Sequence, residues 1–295
     1  MKKKFVFHSI ILLTFIFIVI SCQNQTTNLK VAINAGAEGR AIEKLAQEYD
    51  KAKIEIIEFP YQSFRQQLIS SLNDDQPDFD IVMIDDPWFP QLSNYLYTLS
   101  DVPVSLTNDI IPSSLDLCKE PYAKGELRAL PFVGNTQLLF YRQDILTKIG
   151  IKNIPKDWES LSSLVIDITN ENIKFNDNKV YGYAIRGRSG APIVTDFLPI
   201  YWSLDGRLVD DRGDPSKEAI EKNKFKKALN IYMKLKAGSP PGASNYDWSE
   251  MTAAFTNGQA VFELNWPAAI SKIDSAIPTG SSDDQQWGIS LPPGS

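Results

Sequence analysis

The stretch "PDFDIVMIDDPWFPQL", residues 77–92, begins like a buried strand and ends in polar and aromatic side chains. The continuous apolar run over residues 81–84 is typical of a strand that is covered on both faces. This run leads directly into Asp85, Asp86 and Trp88. The segments that precede it indicate why two carboxylates and an indole stand there.

Strand and helix patterns alternate along this part of the chain. They predict strands over residues 29–36, 53–59 and 78–85 and helices over residues 39–52 and 61–73. The first helix carries an apolar stripe of Ile42, Leu45, Ala46 and Tyr49, which we expect to be a packing face. A β-α-β-α-β order with apolar strands implies parallel strands joined by right-handed crossovers, and ligands bind such sheets at the carboxyl ends of the strands. We therefore expect Asp85, Asp86 and Trp88 at a ligand-facing edge. The ordinary alternatives are a turn role for the aspartates and core packing for the tryptophan.

The second half of the chain contains a similar signal. The segment "AVFELNWP", residues 260–267, predicts a strand that ends in Asn265 and Trp266. A packing helix is predicted over residues 225–237. Asp157 is predicted to cap the start of another helix, and Gly258 to end a third.

Charge and histidine content exclude several classes of function. Residues 1–21 carry three lysines and no acidic residue, so their removal leaves 27 Lys and Arg against 36 Asp and Glu, and the net charge moves from -6 to -9. This balance argues against a nucleic-acid partner. The one histidine, His8, lies in the same segment. Without it the chain has no Ser-His-Asp or Cys-His catalysis and no histidine-ligated zinc.

The N-terminal segment "MKKKFVFHSIILLTFIFIVISC" predicts a secretion signal over residues 1–21. The alternative is a membrane anchor helix, but the apolar run is shorter than the ~20 residues of a span. The quartet ending in Cys22 resembles a bacterial lipobox, which implies a lipidated Cys22 followed by a tether over residues 22–28. Cys118 would then be the one remaining thiol, and we expect it to be a buried apolar residue.

Several segments in order resemble the extracellular solute-binding proteins of family 1, the maltose-binding-protein-like receptors of ABC sugar importers. They are "PDFDIVMIDDPW", "ALPFVGNTQLLFYRQDILTKIGI", "IPKDWESL", "FTNGQAVFELNWP" and "WGISLPPG". The resemblance covers about residues 28–294.

The resemblance implies an α/β, two-lobed periplasmic-binding-protein-like (type II) fold with a hinge. The lobes correspond to residues 29–131 and 138–295, and the hinge to residues 132–137. In the family the chain continues beyond the "LPPG" segment and returns to the first lobe. We therefore expect a truncation at the C-terminus and an incomplete first lobe.

The resemblance also implies a function. The expected protein is an extracytoplasmic, lipid-anchored monomer that binds a sugar or oligosaccharide between its lobes and presents it to an ABC permease, with no enzyme activity, cofactor or metal. Sugars are held by aromatic rings against their C–H faces and by carboxylates and amides at their hydroxyls. The candidate ligand-binding residues are Glu38, Asp85, Asp86, Trp88, Asn135, Trp202, Trp248 and Trp266, with Trp266 as the principal platform.

Two other functions fit the same residues. An exported carbohydrate-active enzyme would use two of the carboxylates of Asp85, Asp86 and Glu263, but adjacent aspartates point in different directions and make a poor catalytic pair. The other alternative is a receptor for a non-sugar ligand, cationic or neutral, because acidic and aromatic residues argue against anions and not against cations.

Overall fold

A computed structural model describes residues 27–74, 76–175, 177–210, 214–277 and 286–294. The predicted signal and Cys22 lie outside these residues. The chain divides into two compact units, of which unit 1 ends at Gly134 and unit 2 begins at Asn135.

Unit 1 consists of short strands and helices around one parallel sheet. Its strands are β1 (Asn28–Asn34), β2 (Lys53–Phe59), β3 (Ile81–Val82), β4 (Lys119–Glu120) and β5 (Glu126–Leu127). Its helices are α1 (Ala37–Glu48), α2 (Tyr61–Leu72), α3 (Phe89–Leu92), α4 (Val104–Thr107) and α5 (Pro112–Leu117), with 3-10 turns at Asp86–Trp88 and Ser93–Tyr95.

Unit 2 is larger and more helical. Its strands are β6 (Leu138–Tyr141), β7 (Lys174–Phe175), β8 (Asn178–Lys179), β9 (Tyr181–Tyr183), β10 (Ala260–Asn265) and β11 (Gly288–Ser290). Its helices are α6 (Gln143–Lys148), α7 (Trp158–Asn170), α8 (Ala191–Trp202), α9 (Lys222–Ala237), α10 (Trp248–Thr256) and α11 (Ile270–Ala276), with 3-10 turns at Ala243–Asn245 and Pro267–Ala269.

The predicted parallel sheet of unit 1 is confirmed. The strand order is β2-β1-β3, and both neighbours run parallel to β1. The central strand β1 is buried over residues 31–33, and α2 covers the sheet with Phe64 and Leu68. Because the three strands are parallel, their carboxyl ends lie at one edge of the sheet.

Two expectations for unit 1 are wrong in detail. The third strand pairs over Ile81–Val82 alone rather than over residues 78–85, and Ile81 is 50% exposed because β3 lies at an edge of the described sheet. The helix over residues 39–52 forms as α1, but its apolar stripe is not buried. Leu45 is 57% and Tyr49 48% exposed, since few contacts of the described residues cover that face.

The sheet of unit 2 has the order β11-β6-β10-β9. Strand β6 is antiparallel to both of its neighbours, whereas β9 runs parallel to β10. All six residues of β10 are buried. Neighbouring positions of β6 serve two cores, since Leu139 joins the cluster of α7 and α9 and Phe140 packs against Phe255 and Ile273.

A glycine allows α7 to lie close against β9. A Cβ atom at Gly182 would stand 2.3 Å from the Val165 backbone oxygen, which no larger residue tolerates without moving the helix. Thr169 of the same helix accepts a hydrogen bond from the Gly182 N–H at 2.9 Å. The helix and the strand are therefore joined by both close packing and a side-chain hydrogen bond.

The predicted helix signals in unit 2 are confirmed. The Asp157 carboxylate accepts a hydrogen bond from the Ser160 N–H at 2.8 Å and caps α7. Gly258 follows α10 with a φ of 72°, a conformation that favours glycine. At the other end of α10, Asp247 and Glu250 form a capping box.

Over the described ranges, no helix is long and apolar enough to cross a membrane.

Substitution of Asp157 tests the α7 cap. We expect Asp157→Ala to lower the free energy of unfolding by about 1 kcal/mol at pH 7, measured by urea titration. The hydrogen bond from the Ser160 N–H lowers the pKa of Asp157. A lowered folded-state pKa stabilises the fold above the unfolded-state pKa, and this contribution is lost as the pH falls through the folded value.

The difference between Asp157→Ala and the unchanged protein should therefore shrink below about pH 4. Asp157→Asn is the matched control because it keeps an acceptor for Ser160. An Asp157→Ala protein that unfolds at the unchanged urea midpoint would show that the cap contributes nothing.

Candidate functional site

The carboxyl edge of the unit 1 sheet carries a small aromatic and acidic group. Asp85 follows β3 and Tyr61 follows β2, so the parallel strands bring them together. The Tyr61 hydroxyl donates to the Asp85 carboxylate at 2.6 Å, and the Tyr61 ring lies 5.3 Å from the Trp88 ring at an interplanar angle of 32°. Trp88 also meets Phe64 edge to face at 6.0 Å, so its ring joins the rim to the core.

Asp86 remains exposed at this rim and is electrostatically coupled to Asp85. Partial desolvation raises the pKa of Asp86, and the charge and hydrogen bond of the neighbouring Asp85 raise it further. The Asp86 carboxyl is therefore harder to ionise than an isolated aspartate. When ionised, it accepts hydrogen bonds from ligand hydroxyls.

Glu38 lies at the same edge, in the first turn of α1 after β1. Gly36 has a φ of 139°, and a Cβ atom there would stand 3.5 Å from a Glu38 carboxylate oxygen, so the side chain folds back over the turn. The half-buried carboxylate also lies near the positive end of α1. Among the described contacts, none joins Glu38 to Asp85 or Trp88.

Strand register brings Arg186 and Trp266 together at one edge of the unit 2 sheet. Strands β9 and β10 are parallel and Phe262 pairs with Tyr183, so the residues that follow both strands emerge side by side. The guanidinium carbon of Arg186 lies 4.4 Å from the centroid of the Trp266 ring. The Trp266 ring is half-buried, whereas Arg186 is 4% exposed.

Arg186 is held by buried partners on α8. Its Nε atom donates to the Asp196 carboxylate at 2.9 Å, and a second guanidinium nitrogen contacts the same carboxylate and donates to Thr195 at 2.8 Å. The backbone N–H of Arg186 also donates to Asp196, at 2.9 Å. The Gln137 amide, in the orientation that makes both of its hydrogen bonds, donates to the Thr195 backbone oxygen at 3.1 Å and accepts from Arg186 at 3.2 Å.

The Asn265 side chain joins the two tryptophans of this edge. Its carbonyl oxygen accepts from the Trp248 indole N–H and from the Trp266 backbone N–H, each at 2.9 Å. Its amide nitrogen donates to Thr252 at 3.1 Å and to Glu263 at 2.7 Å. Asn265 is fully buried and makes all four of its hydrogen bonds inside unit 2, so it positions its neighbours.

Glu263 is a fully buried carboxyl in the middle of β10. One of its oxygens accepts from Asn265, and the other has no hydrogen-bond partner among the described residues. Burial raises the pKa of Glu263 to about 8, so the side chain is mainly protonated at neutral pH. A carboxyl without access to solvent makes a poor acid or base for a soluble substrate, which weakens the enzyme alternative.

The other candidate residues of unit 2 have different surroundings. Trp248 begins α10 and is half-buried, and the Lys272 ammonium lies 4.7 Å from the centroid of its ring. Trp202 is 57% exposed at the end of α8, about 10 Å along the helix axis from Thr195. Asn135 is exposed, three residues before β6.

The structure thus brings together Asp85, Asp86 and Trp88 in unit 1, and Trp248 and Trp266 in unit 2. Sequence reasoning missed Tyr61 and Arg186. Asp85 and Trp266 were selected because they follow predicted strands. The same criterion applies to Tyr61, which follows β2, and to Arg186, which follows β9. The sequence does not predict that Tyr61 contacts Asp85 and Trp88, or that Arg186 contacts Trp266.

Parallel strands that end in aromatic and hydrogen-bonding side chains present these side chains where open α/β sheets bind ligands. The chain belongs to the bacterial extracellular solute-binding protein family, which it matches over residues 34–295. The predicted family is thereby confirmed.

Curated relatives are binding proteins, and two of them are named as proteins of ABC transporters. The chain is 22% identical to a probable amino-acid ABC transporter periplasmic-binding protein of Sinorhizobium fredii, over 83% of this chain and 57% of the relative. It is 26% identical to a probable ABC transporter-binding protein of Deinococcus radiodurans, over 82% of this chain and 61% of that protein. A mannitol-binding protein of Pseudomonas aeruginosa is 29% identical over 56% of this chain and 36% of its own length. The chain thus spans about three fifths of the first two relatives.

Solved structures show the same fold. The maltose-bound MalE3 of T. maritima superposes with a TM-score of 0.72 at 24% identity, covering 91% of this chain and 68% of that one. A solute-binding protein of Thermotoga lettingae bound to α-D-tagatose gives a TM-score of 0.71 at 20% identity, covering 91% and 68%. The predicted two-lobed periplasmic-binding-protein fold is therefore confirmed.

The buried Glu263 predicts a characteristic pH dependence. Its folded-state pKa of about 8 lies above the ordinary value of about 4.3. Between these values the folded state holds a proton that the unfolded state has released, so the free energy of unfolding falls as the pH rises. We expect a loss on the order of 1 kcal/mol per pH unit between about pH 5 and pH 8 from this group.

Glu263→Gln keeps an acceptor for Asn265 and removes the titration. Urea titrations at several pH values should show nearly equal stability of the two proteins near pH 4 and a more stable variant at pH 8. Parallel stability profiles of the two proteins over this range would contradict the assignment.

Proposed function

We propose that this protein is the solute-binding component of an ABC importer, and that it binds a sugar or polyol without transforming it. The observation that carries the proposal is the half-buried Trp266 ring at the carboxyl edge of parallel strands, where the backbone N–H of Trp266 donates to Asn265 and the Arg186 guanidinium lies over the ring. The proposal includes lipidation of Cys22, an extracytoplasmic location at the membrane, and delivery of the ligand to the permease.

The physical chemistry of a sugar matches the two groups of side chains. A pyranose ring or polyol chain presents C–H groups that pack on an indole, and hydroxyls that donate to carboxylates. In unit 2, Trp266 supplies a ring for the C–H groups. In unit 1, Asp85 and Asp86 supply acceptors and Tyr61 supplies an aromatic surface. Ionised acceptors make the stronger hydrogen bonds, so a few such contacts suffice to orient the ligand.

The named ligands of similar proteins support this class of ligand. The relative from Pseudomonas aeruginosa is named for mannitol, and similar solved structures hold maltose, ribitol, D-mannitol or α-D-tagatose. One curated relative is instead described as a probable amino-acid transporter protein. A zwitterionic amino acid therefore belongs among the compounds to be tested.

Thermal unfolding of the protein with a ligand panel tests the proposal. The panel contains maltose, D-mannitol, ribitol and D-tagatose, with L-leucine and spermidine as the non-sugar compounds. A ligand at 100 times its dissociation constant adds about 2.7 kcal/mol of apparent stability. We expect at least one sugar or polyol to raise the unfolding temperature. Stabilisation by leucine or spermidine alone would overturn the proposed ligand class.

Trp266→Ala distinguishes a ligand platform from a packing residue. We expect a loss of sugar affinity of about 2 kcal/mol, roughly thirtyfold, measured by calorimetric titration with the sugar that stabilises the protein. A core tryptophan would instead cost about 3 to 5 kcal/mol of folding stability.

The control for this variant is Tyr97→Ala, which removes an aromatic ring that is 93% exposed and outside the proposed contacts. Its sugar affinity should equal that of the unchanged protein. Unchanged affinity in a folded Trp266→Ala protein would exclude Trp266 from the ligand site.

A further inference from the structure

We infer that Arg186 is a specificity-determining residue of the proposed site, because its guanidinium covers one face of Trp266 and makes the ring a platform for uncharged ligands and a poor one for cations. This inference rests on the proposed function for the identity of the ligand. The arrangement of charge around Trp266 is independent of that function and can be tested without a ligand.

The guanidinium is fixed in place rather than resting loosely on the ring. Arg186 donates to Asp196 and Thr195, and its centre lies 4.4 Å from the Trp266 ring centroid. Both members of the Arg186 and Asp196 pair are at least 96% buried. Removal of one partner alone would leave a buried charge uncompensated, so the pair resists rearrangement.

A cation beside one face of an indole alters what the other face attracts. Both faces of an aromatic ring carry negative potential and bind cations. With Arg186 on one face, a cationic ligand on the opposite face lies about 8 Å from a like charge. Because the site is half-buried, water screens this repulsion only in part. Asp196 offsets part of that charge, so we expect a discrimination of about threefold to tenfold against a cation.

Neutral C–H groups depend less than cations do on the negative potential of the indole face. Dispersion and burial of apolar area act equally on a ring that is backed by a cation. Arg186 therefore lowers the affinity for cations more than the affinity for a sugar. Trp248 has a similar arrangement, with Lys272 at 4.7 Å from its ring. Both tryptophans that Asn265 joins thus carry a cation against one face.

This arrangement separates the two ligand classes that the acidic rim of unit 1 leaves open. Asp85 and Asp86 alone would attract a polyamine or another cation as readily as they accept hydroxyl protons. Arg186 opposes such a ligand at Trp266, whereas an uncharged polyhydroxylated ligand suits the acidic rim and the Trp266 ring, each considered by itself.

Fluorescence quenching by ions tests the charge at Trp266 directly. The quenchers are caesium and iodide, and the Trp266 signal is the difference between each protein and its Trp266→Phe version. The test variant combines Arg186→Met with Asp196→Asn, which leaves no buried carboxylate without a partner and keeps an acceptor for the Arg186 backbone N–H.

We expect the ratio of caesium to iodide quenching constants at Trp266 to rise at least about twofold in this double variant. Lys152→Met is the control, since it removes an exposed cation that has no contact with Trp266 among the described residues, and it should leave the Trp266 ratio unchanged. An unchanged ratio in the double variant, including equal increases for both ions from greater exposure, would overturn the inference.

A second measurement needs no change at Arg186 and decides the question if the double variant does not fold. In the otherwise unchanged protein, Trp266 should show a lower caesium to iodide ratio than Trp202, which is exposed. Trp202→Phe isolates the Trp202 signal. Equal ratios at the two positions would contradict a positive environment at Trp266.

The ligand arm compares D-glucose with D-glucosamine, which differ by one ammonium group. We expect the unchanged protein to prefer glucose by at least about threefold, and the double variant to lose this preference. Equal affinities in the unchanged protein would overturn the selective role of Arg186. If neither compound nor any panel sugar binds, the proposed function fails, and the quenching ratios still decide the role of Arg186.

Discussion

The burial of polar side chains within β10 is the constraint on which the candidate site of unit 2 depends. All six residues of this strand are buried, yet two of them are Glu263 and Asn265. A buried polar group costs free energy unless it is hydrogen-bonded, so Asn265 must find partners on every side. It finds them on α10 and at the start of the next segment. Asn265 thereby contacts the Trp266 backbone and the Trp248 indole through the same carbonyl oxygen.

The two units present aromatic rings at strand ends by different means. In unit 1, Tyr61, Asp85 and Trp88 lie on a rim beside the exposed Asp86, where water screens the charges. In unit 2, the Arg186–Asp196 ion pair and the Asn265 side chain are buried. The ion pair holds the Arg186 guanidinium against the Trp266 ring, and Asn265 accepts from the Trp266 backbone N–H. The first arrangement suits adaptable hydrogen bonding to hydroxyls, and the second suits a rigid surface.

Much of the fold follows from local pattern. Apolar runs predicted β1, β2 and β10, and the residues that end or cap helices predicted the start of α7 and the end of α10. The two errors in unit 1 have one cause. A local sequence pattern does not show which other segments pack on a strand or a helix face. The run over residues 81–84 reads as a central strand, but β3 is an edge strand of the described sheet. The stripe of α1 reads as a packing face, and Leu45 and Tyr49 remain exposed.

The sequence predicted which strand ends carry the candidate residues, but not which residues lie beside one another. Strand-end position indicated the acidic rim and Trp266, and the pairing of β9 with β10 decides which residue stands beside the indole. That pairing joins positions 79 residues apart, and no periodicity encodes it. The family resemblance supplied the two-lobed fold and not the buried ion pair. The ligand-contact roles of all eight candidate residues stay predictions.

The protonated Glu263 has a consequence for the energetics of the whole domain. At neutral pH the folded protein carries a proton on this side chain that the unfolded chain releases to the solvent. Heat-induced unfolding is therefore also a deprotonation, and the buffer must take up that proton. The calorimetric enthalpy of unfolding then includes the ionisation heat of the buffer, so phosphate and Tris solutions at one pH will give different enthalpies for the same structural transition.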